Sequence, residues 1–172
     1  MSNCQLTEGA LAFMFVPEAI ADHYDRWSFY RNQFQNGCAH DNKAVDLVCW
    51  FEKETWLIEV KDYRQHARTK VIDLADEVAI NVRDTLAGLV AARCNANEAK
   101  ERDLARRLLS ARRIHVILHL EQPNIKSRLH LRGVIETDKL TQKLRSKLKA
   151  LDPHPIVASN QRPAPGVPWE VQ

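Results

Sequence analysis

AVDLVCWFEKETWLIEVKDY, running from Ala44 to Tyr63, is the stretch that decides the fold of this chain. Two apolar runs, 44–51 and 55–61, flank a short polar break at Glu52, Lys53 and Glu54. Val, Leu, Ile, Trp and Phe dominate both runs, so the stretch predicts an antiparallel hairpin. With the turn centred on Lys53 and Glu54, Phe51 opposes Trp56, Val48 opposes Glu59 and Asp46 opposes Lys61. Directly opposed residues in a ladder share a face. One face then holds Val45, Leu47, Cys49, Phe51, Trp56, Ile58 and Val60, all apolar. The other carries Asp46, Glu59 and Lys61 side by side and is expected to meet solvent. A slip of one residue would put Asp46 opposite Val60 and break the apolar face.

Clustered carboxylates repel one another unless a cation sits between them, and hard oxygen ligands suit Mg²⁺ or Mn²⁺. A metal held by two carboxylates binds a phosphate oxygen, lowers the pKa of a bound water and stabilises the charge of a displacement. A lysine beside it either orients the attacking water or neutralises developing charge, and the residues alone leave both roles open. A Glu and a Lys two apart on a strand also make an ordinary ion pair, worth under about 1 kcal/mol when exposed. The aligned Asp46 and the apolar partner face favour a site.

Asp46, a gap of twelve residues, then Glu59-Val60-Lys61 resembles the PD-(D/E)xK nuclease superfamily, with its restriction-endonuclease-like fold. Val45 stands where the nominal proline would be. The resemblance implies an α/β fold: a mixed central sheet, flanked by helices, whose β-hairpin carries the site. It implies Asp46 and Glu59 as metal ligands, the Val60 backbone carbonyl as a third, Lys61 as the catalytic lysine, and Mg²⁺ or Mn²⁺ as cofactor. Many members add an acid from the first helix, and by position that acid is Glu18. The implied activity is metal-dependent endonuclease hydrolysis of phosphodiester bonds in DNA. The alternative is a nuclease-like or other α/β domain that binds nucleic acid or protein without cutting, and RNA is a further substrate class.

Periodicity supplies the rest of the organisation. Residues 17–35 read as a helix, with Pro17 at its first turn and Ile20, Tyr24, Trp27 and Phe34 on one stripe. Residues 71–93 read as a strong helix through Val71, Ala75, Val78, Val82, Leu86, Leu89 and Val90. A helix over 98–113, a central strand over 114–120, a strand over 128–135 and an amphipathic helix over 137–151, capped by Thr137 or Asp138, follow. Residues 1–152 form the single expected domain. Residues 153–172, with five of the seven prolines, form a Pro-rich tail in which 156–158 make an edge strand.

A chain of 172 residues with 45% hydrophobic and 27% charged residues buries a core of ordinary size. Its longest N-terminal apolar run, residues 10–16, is too short to span a bilayer and lacks the flanks of a signal peptide. Cys4, Cys38, Cys49 and Cys94 are scattered and read as free thiols in a reducing cytoplasm, with Cys49 in the core. No GxGxxG or P-loop is present, which argues against nucleotide-cradling loops.

Charge is uneven. Residues 124–149 hold eight cations against Glu136 and Asp138, a local excess of six in a chain whose net charge is +3. Lys139, Lys143 and Lys147 there, with Arg64, Arg68 and Lys70 just after the acid–lysine triplet, are the expected phosphate contacts, attracted through counterion release. A solvated helix face would carry the same charges without any nucleic-acid partner. A chain this small that cuts duplex DNA needs two copies, so a homodimer accompanies that reading. His115 and His119, four apart on a strand, with His130, are of the right ligand type for zinc, but no Cys or acid except Glu121 stands near in sequence, and structural hydrogen bonding is the favoured reading.

Overall fold

The computed structural model describes residues 4–123 and 134–172. It is a mixed α/β structure. The central sheet has five strands, in the order β3 (Ile20–His23), β4 (Leu47–Phe51), β5 (Glu54–Asp62), β6 (Arg113–Glu121) and β7 (Ile156–Ala158). β3, β4 and β5 run antiparallel to their neighbours, while β5, β6 and β7 are parallel. A second, antiparallel sheet joins β1 (Cys4–Glu8), β2 (Leu11–Phe15) and β8 (Trp169–Val171). Parallel strands need cover on both faces. On one face, α1 (Leu74–Asn95), α2 (Ala99–Leu109) and α3 (Thr137–Leu148) pack on Val48, Leu57, Val116 and Leu118. On the other, Phe13, Phe15 and Trp169 of the small sheet pack on Leu47, Cys49, Ile58 and Ile117.

The β4–β5 hairpin forms, with a register two residues from the expected one: Leu47 pairs with Ile58 and Phe51 with Glu54. The turn is Glu52–Lys53, both left-handed at φ 49° and 64°. Two positive-φ residues make the turn whose twist matches flanking strands; its usual Asn-Gly signature is absent here, which hid it. Because the slip is even, every side chain keeps its face. Val45 is the exception: the chain bends at Asp46, and Val45 joins the helix-side core.

The helix expected over 17–35 is replaced by β3, a 3₁₀ turn at Tyr24–Arg26 and a π-helical turn at Tyr30–Phe34. Tertiary contacts override the helical pattern. β3 pairs with β4, and the buried Glu101 carboxylate accepts the Ser28 and Phe29 amides at 2.6 and 3.0 Å. The expected aromatic stripe is core all the same: Tyr24, Trp27 and Phe34 are buried. α1 begins later than its apolar pattern, because the Asp73 carboxylate caps it by accepting the Ala75 amide at 2.9 Å. Glu136, without a side-chain cap bond, precedes α3 in place of the expected Thr137 or Asp138.

Residues 153–172, expected as a tail with one edge strand, instead close both sheets: β7 pairs with β6, and β8 pairs with β2. The strand expected over 128–135 falls almost wholly outside the described residues, as do His130, Lys126, Arg128 and Arg132. No helix among the described residues is long and apolar enough to cross a membrane. All four cysteines are free, and Cys49 is buried.

Gly88 of α1 lies against the aromatic turn. A Cβ there would sit 1.9 Å from the Tyr24 hydroxyl and 3.1 Å from the Phe34 ring. The Tyr24 hydroxyl is buried and has no hydrogen-bond partner. Gly88→Ala is therefore expected to cost about 1–3 kcal/mol in urea denaturation, the range for overpacking. Adding Tyr24→Phe should return part of that loss, a positive coupling in a double-mutant cycle.

Candidate active site

Asp46, Glu59 and Lys61 meet in one cleft of about 630 Å³, joined there by Glu77 and Asn81 of α1. Glu59 and Lys61 alternate with Val60 on β5 and so point to the helix-covered face. That face is covered by helices where solvent was expected: Glu59 is 1% exposed. Asp46 sits at the bend before β4, beyond the last β4–β5 pair, Leu47 with Ile58. Its Oδ2 accepts the Val60 amide at 2.7 Å. A strand residue's amide and carbonyl point to the same side, so the Val60 carbonyl also points past the end of β4.

α1 holds this corner with a polar stripe one helical turn apart. Asn81 Nδ2 donates to Glu59 Oε1 at 3.0 Å, and Lys61 Nζ donates to the same oxygen at 2.5 Å. Glu77 Oε1 lies 3.3 Å from Lys61 Nζ. One turn further, the Asp84 carboxylate accepts the Lys43 amide and the Thr85 hydroxyl accepts the Val45 amide, each at 2.9 Å. The stripe thus fixes both the triplet and the segment that delivers Asp46. Glu77 and Asn81 were not expected as site residues. Their signal was present: 77, 81, 84 and 85 are polar positions at helical spacing, adjoining the apolar stripe of 75, 78, 82 and 89.

The carboxylates are crowded. Burial first, and the charge of Glu59 second, push the Asp46 carboxyl up to about 8, against the Val60 amide and the Lys61 charge. Burial also raises Glu59, despite the charge and hydrogen bond of Lys61 and the bond from Asn81. For Lys61, burial draws the ammonium down, but the Glu59 charge and hydrogen bond, with Asp46 and Glu77, outweigh it and hold Lys61 above the ordinary lysine range. Lys61 is therefore a cation at neutral pH and cannot accept a proton. Burial raises Glu77 too, yet hydrogen bonds from Lys70 and Arg68 and the charges of Lys61 and Lys70 bring it to about 2.

Glu59 Oε2 is buried and has no hydrogen-bond partner. A buried carboxylate oxygen without a donor calls for a proton, a water or a cation. That orphan oxygen, with the raised Asp46 beside it, fits a hard divalent ion. Among the described residues no group of three or more His, Cys, Asp or Glu is placed to hold a metal. The protein would supply Asp46, Glu59 and the Val60 carbonyl, leaving other positions to water and phosphate, as Mg²⁺ prefers.

Glu18 is not brought to this corner. It lies in an exposed turn beyond Ile20, which pairs with Trp50 near the hairpin turn. Asp46 is at the opposite end of β4, roughly 13 Å or more away at about 3.3 Å per residue. The acid from this region that lines the cleft is Asp25, raised chiefly by burial. The six expected phosphate contacts all have acidic partners. Arg64 pairs with Asp62 at 2.6 Å; Arg68 and Lys70 pair with Glu77 at 2.8 and 2.5 Å. Lys139 pairs with Glu136 at 2.9 Å, Lys143 with Asp73 at 2.5 Å, and Lys147 with Asp76. His115 and His119 share a face but do not converge: each has its own carboxylate at 2.9 Å, Glu54 and Glu121 respectively.

No family model and no solved structure matches the chain. The chain is 33% identical over 155 residues to the Cysteine--tRNA ligase of Neisseria meningitidis serogroup A / serotype 4A (strain DSM 15465 / Z2491). The match covers 73% of this chain and 22% of that protein, so the chain spans about a fifth of its relative's length.

A raised carboxyl binds its proton in the fold more tightly than in the unfolded chain, so its contribution to stability is lost as pH rises from about 4 to about 8. Asp46→Asn removes that loss. Between pH 5 and pH 8 the wild type should lose about 1–3 kcal/mol relative to Asp46→Asn in chemical denaturation, a fraction of the 1.4 kcal/mol per unit upper bound. Mg²⁺ or Mn²⁺ must displace the same proton, so its apparent affinity, measured by calorimetry, should rise with pH up to about 8 and be lost in Asp46→Asn.

Proposed function

We propose that this chain is a metal-dependent endonuclease with a restriction-endonuclease-like core, hydrolysing phosphodiester bonds in DNA. The observation that carries this reading is the orphan, buried Oε2 of Glu59, a residue that lines one cleft with Asp46, with the Lys61 ammonium on the other Glu59 oxygen. A buried and a half-buried acid with one lysine make a poor structural ion pair, because one carboxylate stays uncompensated. As a site for a divalent ion and an anionic substrate they are well matched.

Asp46, Glu59 and the Val60 carbonyl hold Mg²⁺ or Mn²⁺. When bound, the ion supplies Lewis-acid activation of a water and of the scissile phosphate. Asn81 donates to Glu59 Oε1, which would leave Oε2 for the ion. Lys61, fixed as a cation, donates hydrogen bonds to the attacking water or to the phosphate oxygens as charge develops. Arg64, Lys70, Lys139, Lys143 and Lys147 exchange their carboxylate partners for backbone phosphates, and Arg68 adds its charge from Glu77; such contacts position without reading sequence.

The resemblance to part of a tRNA ligase favours a second reading, in which the chain binds or cuts RNA. Defined duplex DNA, single-stranded DNA and tRNA, each with Mg²⁺, Mn²⁺ or Ca²⁺, separate the readings. Cleavage of DNA is expected with Mg²⁺ or Mn²⁺, with binding but little turnover in Ca²⁺. Asp46→Asn, Glu59→Gln and Lys61→Gln keep the shape of the buried corner, and each should lower cleavage at least a hundredfold. Equal residual cutting in all three would expose a contaminant. Cleavage confined to tRNA would establish the second reading, and metal binding without cleavage of any substrate would leave a binding module.

A further inference from the structure

Residues 64–72, RQHARTKVI, leave β5 directly after the acid–lysine triplet and carry Arg64, Arg68 and Lys70 with no acid among them. The segment ends in Val71, fully exposed, and Ile72, 40% exposed, two of only four large hydrophobic side chains in solvent among the described residues. Lys70 and Ile72 line the acid cleft. Arg68, Val71 and Ile72 line a second cleft, of about 360 Å³, that reaches Lys139 and Lys143 on α3. The two clefts meet at Ile72, and the exposed aliphatic pair stands at the junction.

Single exposed aliphatics need no explanation, but two adjacent ones at the mouth of a charged cleft do. Val and Ile are stiff at χ1, so they hold a fixed shape in water. Stiff aliphatic side chains flanked by cations suit entry between stacked bases, with the cations on the neighbouring phosphates. An acid-free segment complements a polyanion rather than an ordinary protein surface. Unstacking costs least where a helix is already interrupted.

We propose that residues 64–72 are a base-unstacking wedge, and that the acid cleft takes DNA at an interruption of the duplex, such as a nick, flap or mismatch. This rests on the nuclease reading and specifies its substrate. Lys70, exposed and tied to Glu77 in the free protein, turns to a phosphate beside the opened step, while the more covered Arg68 stays on Glu77 and adds its charge to the rim. Val71 and Ile72 then fill the gap between the bases, and the phosphate next to that step lies over Asp46 and Glu59.

The test uses continuous, nicked and mismatched duplexes carrying 2-aminopurine beside the interruption, with the full chain in Ca²⁺. The wild type should bind the interrupted duplexes at least tenfold more tightly and raise the 2-aminopurine fluorescence. Val71→Ser, fully in solvent and so neutral for folding, with Ile72→Ser, checked for an unchanged fold by circular dichroism, should abolish the rise and the preference. Arg68→Gln with Lys70→Gln should weaken binding of all the duplexes alike. Equal wild-type affinity for continuous and interrupted DNA, an unchanged preference in the serine variant, or tighter binding of RNA than of any DNA would each overturn the wedge. Mg²⁺-dependent cleavage without any preference would overturn the wedge alone. Preference and unstacking without cleavage in Mg²⁺ or Mn²⁺ would uphold the wedge and overturn the nuclease.

Discussion

Burial of Glu59 is the constraint on which the rest of this corner depends. A carboxylate at 1% exposure, on a strand between two others in a sheet covered on both faces, must have its charge answered locally. Lys61 answers one oxygen, Asn81 joins it, and Glu77 steadies Lys61 from the next turn of α1. Among the described residues nothing answers Oε2. Asp46 then adds a second acid beside the single Lys61, and the structure holds it there through the Val60 amide. That arrangement leaves the corner receptive to positive charge.

Two accounts of the corner differ in what they require of α1. If Glu59 and Lys61 were only a structural pair, α1 would need nothing but an apolar face. Instead it spends four buried positions on polar side chains, and each meets a partner on the strand or on the segment leading to Asp46. Polar groups buried this way add little net stability, but they fix geometry. Asp46 is the beneficiary, since Lys43 and Val45 are both pinned by their amides.

The hairpin and the shared face of Asp46, Glu59 and Lys61 were legible in the sequence because side-chain parity survives an even slip in register. The exact turn was not, since Glu-Lys at two left-handed positions carries no turn signature. Residues 17–35 misled because their aromatic spacing suits a helix, while the amides of Ser28 and Phe29 are claimed by a carboxylate 72 to 73 positions away. β8 was hidden among prolines: it has three residues, and only its pairing with β2 makes it a strand. The covered state of the Glu59 face was also out of reach, because an acid and a lysine two apart look the same in water and beneath a helix.

The cations fall into two electrostatic classes that composition merges. Lys143 and Lys147 reach the first turn of α1, where Asp73 and Asp76 sit, so the basic face of α3 is partly consumed by helix-to-helix pairing. Exposed pairs of this kind are worth about 0–1 kcal/mol, so a phosphate replaces the carboxylate at little cost. Lys61 belongs to the other class. With its side chain 18% exposed against a Glu59 side chain 2% exposed, separating it would strand a buried charge, a loss of roughly 3–5 kcal/mol. Glu77 joins the classes, holding Lys61 and Arg68, both largely covered, on the inside and the exposed Lys70 on the outside. A polyanion that drew Lys70 away would leave Glu77 to Lys61 and Arg68. On the proposed reading, binding at the rim would in this way be coupled to the position of the buried ammonium, through one carboxylate on α1.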